Sequence, residues 1–343
     1  MKRFGNLYER IYDIDNLKLA HKNARKGKRA YSEVCLVDAK QDHYLEKLHL
    51  ILKNGEFKNS RYKIFTISDR GKQREIYKLP YFPDRIVHHA IMQILEPIWK
   101  SVLIRDTYQS IKGRGVHDGK KRIETVIRND KPRYCLKFDV KKFYPSVNHD
   151  VLKTIIRQKI KCNRTLRLLD EIIDSAPGLP IGNYLSQYFG NLYLTYFDHW
   201  IKEYKGIKFY FRYCDDIIVF NNDKDFLHCL LQEIKEYFKI KLLLEIKSNY
   251  QVFPVSARGV DFLGFRFYYR YTLLRKTIVR NFKRKISIVI NKWPILSKFY
   301  VVNGLMSYYG WIKCCNAYNL WKSRYTNSCN DILTYFKGTL VWK

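Results

Sequence analysis

Phe209-Tyr210-Phe211-Arg212-Tyr213-Cys214-Asp215-Asp216-Ile217-Ile218-Val219-Phe220 is the stretch that decides the fold. Apolar runs on either side of two adjacent carboxylates predict an antiparallel hairpin whose tight turn carries the pair. A third aspartate lies in Lys137-Phe138-Asp139-Val140, and a neighbouring strand there would bring it to face the turn. Three converging carboxylates repel one another unless divalent cations lie among them, and hard oxygen ligands that leave room for phosphates favour Mg²⁺. Two such ions roughly 3.5–4 Å apart activate a hydroxyl and stabilise a leaving pyrophosphate. Alone, an Asp-Asp pair between strands is an ordinary turn, so charge and the remaining motifs must decide.

The 343 residues are 46% hydrophobic and 16% aromatic, enough for two or three subdomains around a sizeable core. Lys and Arg number 64 against 32 acidic residues, a formal charge of +32 spread from Lys2 to Lys343. Such an excess fits a nucleic acid partner. A membrane surface is the other option, but there is no run of 18 apolar residues and no long basic amphipathic helix. The start, Met1 to Arg10, lacks the apolar core of a signal peptide, so a cytoplasmic protein is expected. Eight cysteines (35, 135, 162, 214, 229, 314, 315, 329) form no C-x₂-C pair, which predicts reduced, mostly buried thiols and no structural zinc.

Along the chain, residues 6–55 read as helical, with a basic stretch at 22–29 that is solvated or touches RNA. Strands follow at 62–67 and 74–78, then a helix from Pro83-Asp84 to about Trp99. The loop Lys112-Gly113-Arg114-Gly115 leads to a helix at 117–128 and a strand at 134–140. Helices are expected at 148–160 and 164–175, and Pro177-Gly178-Leu179-Pro180-Ile181-Gly182 opens a long helix to about Lys205. Beyond the hairpin at 207–220 come a helix at 223–239, strands at 241–246 and 261–269, and a helical region from 277. In the long helix Leu185, Phe189, Tyr193 or Leu192, Tyr196 and Trp200 make a core-facing stripe. Gly190, elsewhere on its surface, either admits a close approach of template or neighbouring chain or simply packs. His88-His89 point to different helix faces and read as packed residues, not a metal pair. Gly113-Arg114-Gly115 is too short for a nucleotide-binding fingerprint, and Asp170, Glu171 and Asp174 read as a solvated acidic face. Basic residues interleaved with aromatics at Lys276, Arg280, Lys283 and Arg284 fit phosphate contact, as do Lys112, Arg114 and Lys120-Lys121-Arg122; a solvated helix is the alternative.

Four segments occur in a set order. They are Phe138-Asp139-Val140-x-x-Phe143-Tyr144-x-Ser146-Val147, Gly178-Leu179-Pro180-Ile181-Gly182-x-x-x-Ser186-Gln187, Tyr213-x-Asp215-Asp216 and Phe262-Leu263-Gly264-Phe265. In order and spacing they resemble the motifs of reverse transcriptases, and Lys72 to Ile76, Asp84 to Val87 and Tyr309-Gly310-Trp311 extend the likeness over nearly the whole chain. The resemblance implies an α+β right-hand polymerase fold with fingers, a palm of antiparallel sheet plus helices, and a helical thumb. Residues 1–134 would be N-terminal extension and fingers, including the first palm helix. Residues 135–272 would be palm, with an interleaved fingers segment near 160–180, and 273–343 thumb. Asp139, Asp215 and Asp216 would be catalytic and, with the Val140 carbonyl, would hold two Mg²⁺ ions. Arg74, Tyr144, Ile181, Gly182 and Lys247 would meet the incoming nucleotide, Tyr144 excluding a 2′-hydroxyl and Lys247 near the leaving phosphate. Phe262, Leu263, Gly264 and Phe265 would form the primer grip.

Ile181-Gly182-Asn183-Tyr184-Leu185-Ser186-Gln187, and the thumb segment from Ser307 to Leu320, resemble reverse transcriptases of diversity-generating retroelements. That resemblance implies copying of a template-repeat RNA into cDNA with errors mainly opposite adenine, for diversification of a variable gene. Implied partners are template RNA, the RNA–cDNA duplex, dNTPs and a small, basic, oligomeric accessory variability protein, in the cytoplasm of a bacterium or a phage host, with no membrane. At Ile181 an apolar side chain would replace a polar contact to the nucleotide, and polar contacts discriminate more sharply. Losing one hydrogen bond would relax selection by roughly 0.5–1.5 kcal/mol; otherwise Ile181 merely packs before a helix. A retron or group II intron-like reverse transcriptase is the alternative within the class. A catalytically silent RNA-binding scaffold is the alternative outside it, and the presence of all three aspartates argues against it.

Overall fold

The structure is a computed structural model that describes residues 2–322, apart from Arg70, Trp293, Pro294 and Ser297. Cys329 and the remainder of the expected thumb, 323–343, lie outside the described residues. These fall into two compact units. The first comprises residues up to Ile111, Phe138–Lys208 and Leu231–Asn249; the second comprises Lys112–Lys137, Phe209–Leu230 and the described residues from Tyr250 onward.

The first unit is mainly helical. Asp13 caps the helix Ile14–Ala24 by accepting from the Asp15 and Asn16 amides at 3.0 and 3.1 Å, and the helix buries Leu17, Ala20, His21 and Ala24 at helical spacing. It lies against Ile86–Lys100, whose buried face includes Val87, Ala90, Ile91, Leu95 and Trp99. Trp99, Phe189, Phe197 and Phe238 are almost fully buried, and each contributes about 1.5–3 kcal/mol by leaving water. A two-stranded ribbon, β1 (Lys63–Asp69) and β2 (Lys72–Lys78), pairs antiparallel from Lys63↔Lys78 to Asp69↔Lys72.

In the four-stranded sheet, β3 (Tyr134–Asp139) lies between β5 (Asp216–Asn221) and β6 (Gln251–Pro254), with β4 (Tyr210–Tyr213) outside β5. A three-stranded sheet follows: β7 (Val260–Phe262), β8 (Phe265–Phe267) and β9 (Thr272–Leu274). Helix Lys276–Asn291 buries Phe282, Ile286 and Val289 in the second unit.

Several expectations are corrected. The long helix after Gly182 is three pieces, Ser186–Tyr193, Thr195–His199 and Trp200–Tyr204. The Thr195 hydroxyl donates to the Asn191 carbonyl at 3.0 Å, a back-bond that bends helices. No strand forms over 241–246: Leu243 is left-handed at φ 52, Tyr193 Oη takes the Leu242 carbonyl at 2.5 Å, and only a Val140–Ile246 bridge remains. Strand β6, ending at Pro254, was not expected; a proline is tolerated there because β6 lies at the sheet edge. The acidic face is paired as well as solvated: Asp170 binds Arg157 at 2.5 Å, Glu171 binds Lys58 at 3.1 Å, and Asp174 binds Lys153 at 2.6 Å. Of the seven described cysteines, all free thiols, only Cys135 and Cys214 are buried. Among the described residues no helix is long and apolar enough to cross a membrane.

Candidate active site

Strands β4 and β5 pair from Tyr210↔Val219 to Tyr213↔Asp216, so the turn is Cys214-Asp215 and Asp216 is the first residue of β5. Its first position, Cys214, is left-handed at φ 56, which costs a non-glycine residue about 1–2 kcal/mol. Arg212 is wholly buried, and its Nη1 donates to the Cys214 carbonyl at 3.1 Å. A buried guanidinium thus holds the strained turn from behind, a role no sequence motif signalled. Asp216 Oδ1 lies 3.4 Å from Lys137 Nζ, which also donates to the Asp261 carbonyl.

Asp139 is the last residue of β3. Its carbonyl accepts the Lys247 amide at 2.9 Å, and the Lys247 ammonium is ion-paired to its carboxylate. The neighbouring Lys141 amide donates to the Glu245 carbonyl at 2.8 Å, and Lys141 Nζ binds the Glu245 carboxylate at 2.7 Å, holding that carboxyl below its usual range. Asp139 and Lys141 make the backbone bonds to 245–247, so the Val140 carbonyl between them is directed away from that bridge. Lys137 and Asp139, two residues apart on one strand, share a face.

Among the described residues no three His, Cys, Asp or Glu side chains gather at metal-holding range. Asp139 and Asp216 are instead each balanced by an ammonium group. In kind these donors fit a hard divalent cation: both carboxylates are partly exposed, at 35% and 27%, and each ammonium is a charge that a metal ion can replace.

Tyr144 is half-buried, and its hydroxyl stands 3.5 Å from the Gln109 amide nitrogen; the Gln109 carbonyl in turn accepts Asn191 Nδ2 at 2.7 Å. Gly190 lies beneath this aromatic pair, where an added Cβ would stand 3.2 Å from Phe143 Cε1 and 3.7 Å from Tyr144 Cε1. The loop from Gly178 to Gly182 is tied at both ends. The Leu179 amide donates to the Tyr144 carbonyl and the Tyr77 amide to the Ile181 carbonyl, each at 2.8 Å. Gly178 (φ +58) and Gly182 (φ +110) are left-handed and touch backbone: a Cβ would lie 2.6 Å from the Tyr144 and Pro145 carbonyls, or 2.8 Å from that of Tyr77. Ile181 is half-buried. Arg74 is exposed on β2 and shares a strand face with Ile76, whose Cγ2 lies against Gly182. Sequence reasoning missed Gln109; nothing in its neighbourhood marks it.

In the second unit Phe262 pairs with Phe265 around a turn of left-handed Leu263 and Gly264, and all four residues are buried. Phe265 meets Trp311 with ring centroids 5.2 Å apart, and the Arg275 amide donates to the Gly264 carbonyl at 2.9 Å. Lys276, Arg280, Lys283 and Arg284 are exposed along one helix face. The first three border a cavity of about 520 Å³ floored by Leu273, Leu274 and Ala317. Lys112 is exposed and Arg114 half-buried. Lys120 departs from the expected basic track: it is 8% exposed and paired with Glu124 at 2.7 Å.

Residues 53–267 match the family model described as reverse transcriptase (RNA-dependent DNA polymerase). Protein YkfC of Escherichia coli K12 is 22% identical, over 60% of this chain and 65% of its own length. Group II intron-encoded protein LtrA of Lactococcus lactis is 22% identical, over 59% of this chain and 36% of its own. This chain thus spans under two thirds of the curated relatives it matches. Apo telomerase from Candida tropicalis superposes with a TM-score of 0.52 at 14% identity, covering 82% of this chain and 61% of that one. The same telomerase with a TWJ fragment of telomeric RNA gives 0.50 at 15%, covering 78% and 55%. These likenesses show the right-hand polymerase fold expected from the sequence.

Proposed function

The chain belongs to the reverse transcriptase (RNA-dependent DNA polymerase) family, and from that premise we propose that it copies a template RNA into cDNA by divalent-metal-dependent nucleotidyl transfer. The observation that carries this reading is the Tyr213–Asp216 turn, which presents two adjacent carboxylates at a strand end inside the matched segment. In this reading Asp139, Asp215, Asp216 and the Val140 carbonyl hold two Mg²⁺ ions. Bound there, the ions supply activation of the primer 3′-hydroxyl and charge stabilisation of the leaving pyrophosphate. Arg74 orients the triphosphate from the exposed face of β2. Tyr144 closes the sugar side against a 2′-hydroxyl. Lys247, released from Asp139, neutralises the leaving phosphate. Fingers are assigned to 1–134 and the segment near 160–180, palm to 135–272 and thumb from 273, with Lys276, Arg280, Lys283, Arg284, Lys112 and Arg114 on the duplex phosphates. The buried 262–265 turn offers the primer backbone contacts only.

Within that class the enzyme is assigned to a diversity-generating retroelement, copying a template-repeat RNA with errors opposite adenine, in the cytoplasm, beside a small basic accessory protein. The support is the Ile181–Gln187 segment, where an apolar side chain is anchored by its own backbone to β2. The similarity to a group II intron-encoded protein favours the second reading, an intron-like or retron reverse transcriptase.

Primer extension on an adenine-containing RNA tests both levels. Asp215→Asn and Asp216→Asn should abolish Mg²⁺-dependent extension with RNA binding retained, and continued synthesis would refute the metal assignment. Sequencing of wild-type cDNA, with and without the accessory protein, separates the subfamilies. Errors concentrated opposite adenine support the retroelement enzyme, whereas faithful copying under both conditions supports the intron-like one.

A further inference from the structure

Gln187 ends the Ile181–Gln187 segment, yet neither metal binding nor base selection uses it. It is exposed on the first turn of the helix Ser186–Tyr193, and its side-chain oxygen accepts the Ser110 hydroxyl at 2.5 Å. One turn further on, Asn191 is 2% exposed and its Nδ2 donates to the Gln109 carbonyl at 2.7 Å. Gly190, beside it, meets the Phe143 ring. Positions 187, 190 and 191 are three and four residues apart and so share one helix face. That face holds the Gln109-Ser110 turn and the Phe143-Tyr144 aromatic pair side by side, all within the first unit.

The turn is fixed from its other side as well. Tyr108 is wholly buried and its hydroxyl donates to Asp106 at 2.8 Å, while Asp106 is paired with Lys202 at 2.9 Å. Ser110 is left-handed at φ 54, and strained backbone of this kind persists only where its surroundings over-determine it. The bonds from Asn191 and Gln187 do so. What the fixed turn presents is the Gln109 side chain. Its Nε2 stands 3.5 Å from the Tyr144 hydroxyl, and its Oε1 is buried with no hydrogen-bond partner. Packing alone does not account for a glutamine here, because a buried acceptor left unpaired destabilises the fold and an apolar side chain of the same length would avoid it. An amide can serve a hydroxyl in either sense, its NH₂ donating or its oxygen accepting. Tyr144 is tied at its backbone by the Leu179 amide, and its ring leans on Phe143 with centroids 5.5 Å apart. Gln109 adds a contact at the far end of the ring, where a small swing moves it most.

Resting on the reading that Tyr144 closes the sugar side of the nucleotide, we propose that Gln109 is a positioning residue for that gate and that Gln187 acts on the gate through Ser110 and Gln109. Together they hold the ring where a 2′-hydroxyl would collide with it. Weakening any link lets the ring swing away and admits ribonucleotides.

The test measures kcat and KM for addition of a single dCTP or CTP opposite a template guanine, with the full chain on a primed RNA. Gln109→Met should cut the preference for dCTP over CTP in kcat/KM by roughly two- to tenfold, the factor one neutral hydrogen bond supplies. The change should appear chiefly as a lower KM for CTP. Gln187→Met and Ser110→Ala should shift the preference the same way by a smaller factor, and should add nothing to Gln109→Met. In a Tyr144→Phe background, which lacks the hydroxyl, Gln109→Met should have no further effect. Gln109→Glu keeps an acceptor for that hydroxyl and should restore most of the preference. Additive losses would overturn the proposal, as would equal losses for dCTP and CTP alongside a lower melting temperature, which would leave these residues a packing role. If Gln109→Met fails to fold, Gln187→Met, at an exposed position, carries the test. Tyr144→Ala separates the two levels. If it admits CTP while Gln109→Met discriminates as the wild type does, the proposal alone fails; if it leaves the preference intact, the sugar-gate reading fails and the proposal with it.

Discussion

Replacing Lys247 by methionine should make the enzyme saturate at lower Mg²⁺. The Lys247 ammonium is paired to Asp139, so a metal ion that binds this carboxylate must first displace it. Methionine keeps the unbranched stem and removes the charge. The pair is about a third exposed on each side, 33% and 35%, so the value for solvent-exposed ion pairs applies, about 0.2–1 kcal/mol. Removing that competitor should lower the half-saturating Mg²⁺ concentration about 1.4- to 5-fold, since 1.36 kcal/mol is tenfold. Lys137→Met should act in the same direction but less, because its ammonium stands 3.4 Å from Asp216 and is also held by the Asp261 carbonyl. The assay is the initial rate of primer extension against Mg²⁺ at constant ionic strength. A lower maximal rate in Lys247→Met would report its contact with the leaving phosphate and is read independently of the midpoint. If neither midpoint falls, the lysines do not compete with the metal and the reasoning fails.

Three further outcomes follow from the geometry. Gly190→Ala puts a Cβ 3.2 Å from Phe143 Cε1, so Phe143 must give by a few tenths of an ångström and press on its ring neighbour Tyr144, 5.5 Å away between centroids; competition assays should show a loss of discrimination against ribonucleotides, and unchanged discrimination would detach Tyr144 from sugar selection. Arg212→Met removes the donor on the Cys214 carbonyl; kcat should fall at least tenfold with template Kd unchanged, whereas parallel losses in both would mark Arg212 as merely structural. Burial lowers His88 to about 3 and His89 to about 4, below the ordinary 6.5, so the unfolded chain binds more protons between these values. Their neutral forms therefore stabilise the fold fully above about pH 6.5, and that contribution drains away as pH falls towards 4 and then 3. The melting temperature of His89→Phe should decline less than that of the wild type across this window; equal declines would contradict the lowered proton affinity of the half-buried His89 ring.

What the sequence reveals and conceals here has a physical pattern. The β4–β5 hairpin is legible because two apolar runs flank a short polar turn, and β1 and β2 because a Gly-bearing turn separates β-prone runs. Asp216 was expected within the turn, but the register places it in the strand, a distinction set by the conformation of Cys214 and not by composition. The helix expected to run unbroken from Gly182 to about Lys205 is interrupted at Leu194, beside the Thr195 hydroxyl that bonds back to the Asn191 carbonyl. The acidic residues 170, 171 and 174 look solvated in one dimension because Arg157, Lys58 and Lys153 become neighbours only in the folded chain. Arg212 and Lys137 conceal their roles for the same reason: a basic residue next to an acidic motif is unremarkable until burial or a 3.4 Å contact gives it a partner.

In the proposed reading the loop from Gly178 to Gly182 joins sugar selection to base selection. Its first end bonds to the carbonyl of Tyr144, the residue assigned to sugar selection, and its second end bonds to Tyr77 on the strand that carries Arg74. The first anchor, Leu179, is 2% exposed, and between it and Ile181 lies Pro180, whose carbonyl accepts the buried Ser186 hydroxyl at 2.8 Å. Both glycines touch backbone, so neither end can slide without displacing main chain. The loop therefore acts as a strut, and a shift of β2 on nucleotide binding would be felt at Tyr144. The Ile181 side chain, by contrast, is half-buried and makes no anchoring bond; only its carbonyl does. If Ile181 meets the nucleotide as proposed, base selection through that side chain can vary without loosening the strut, whereas a change to the loop backbone would alter sugar and base selection together.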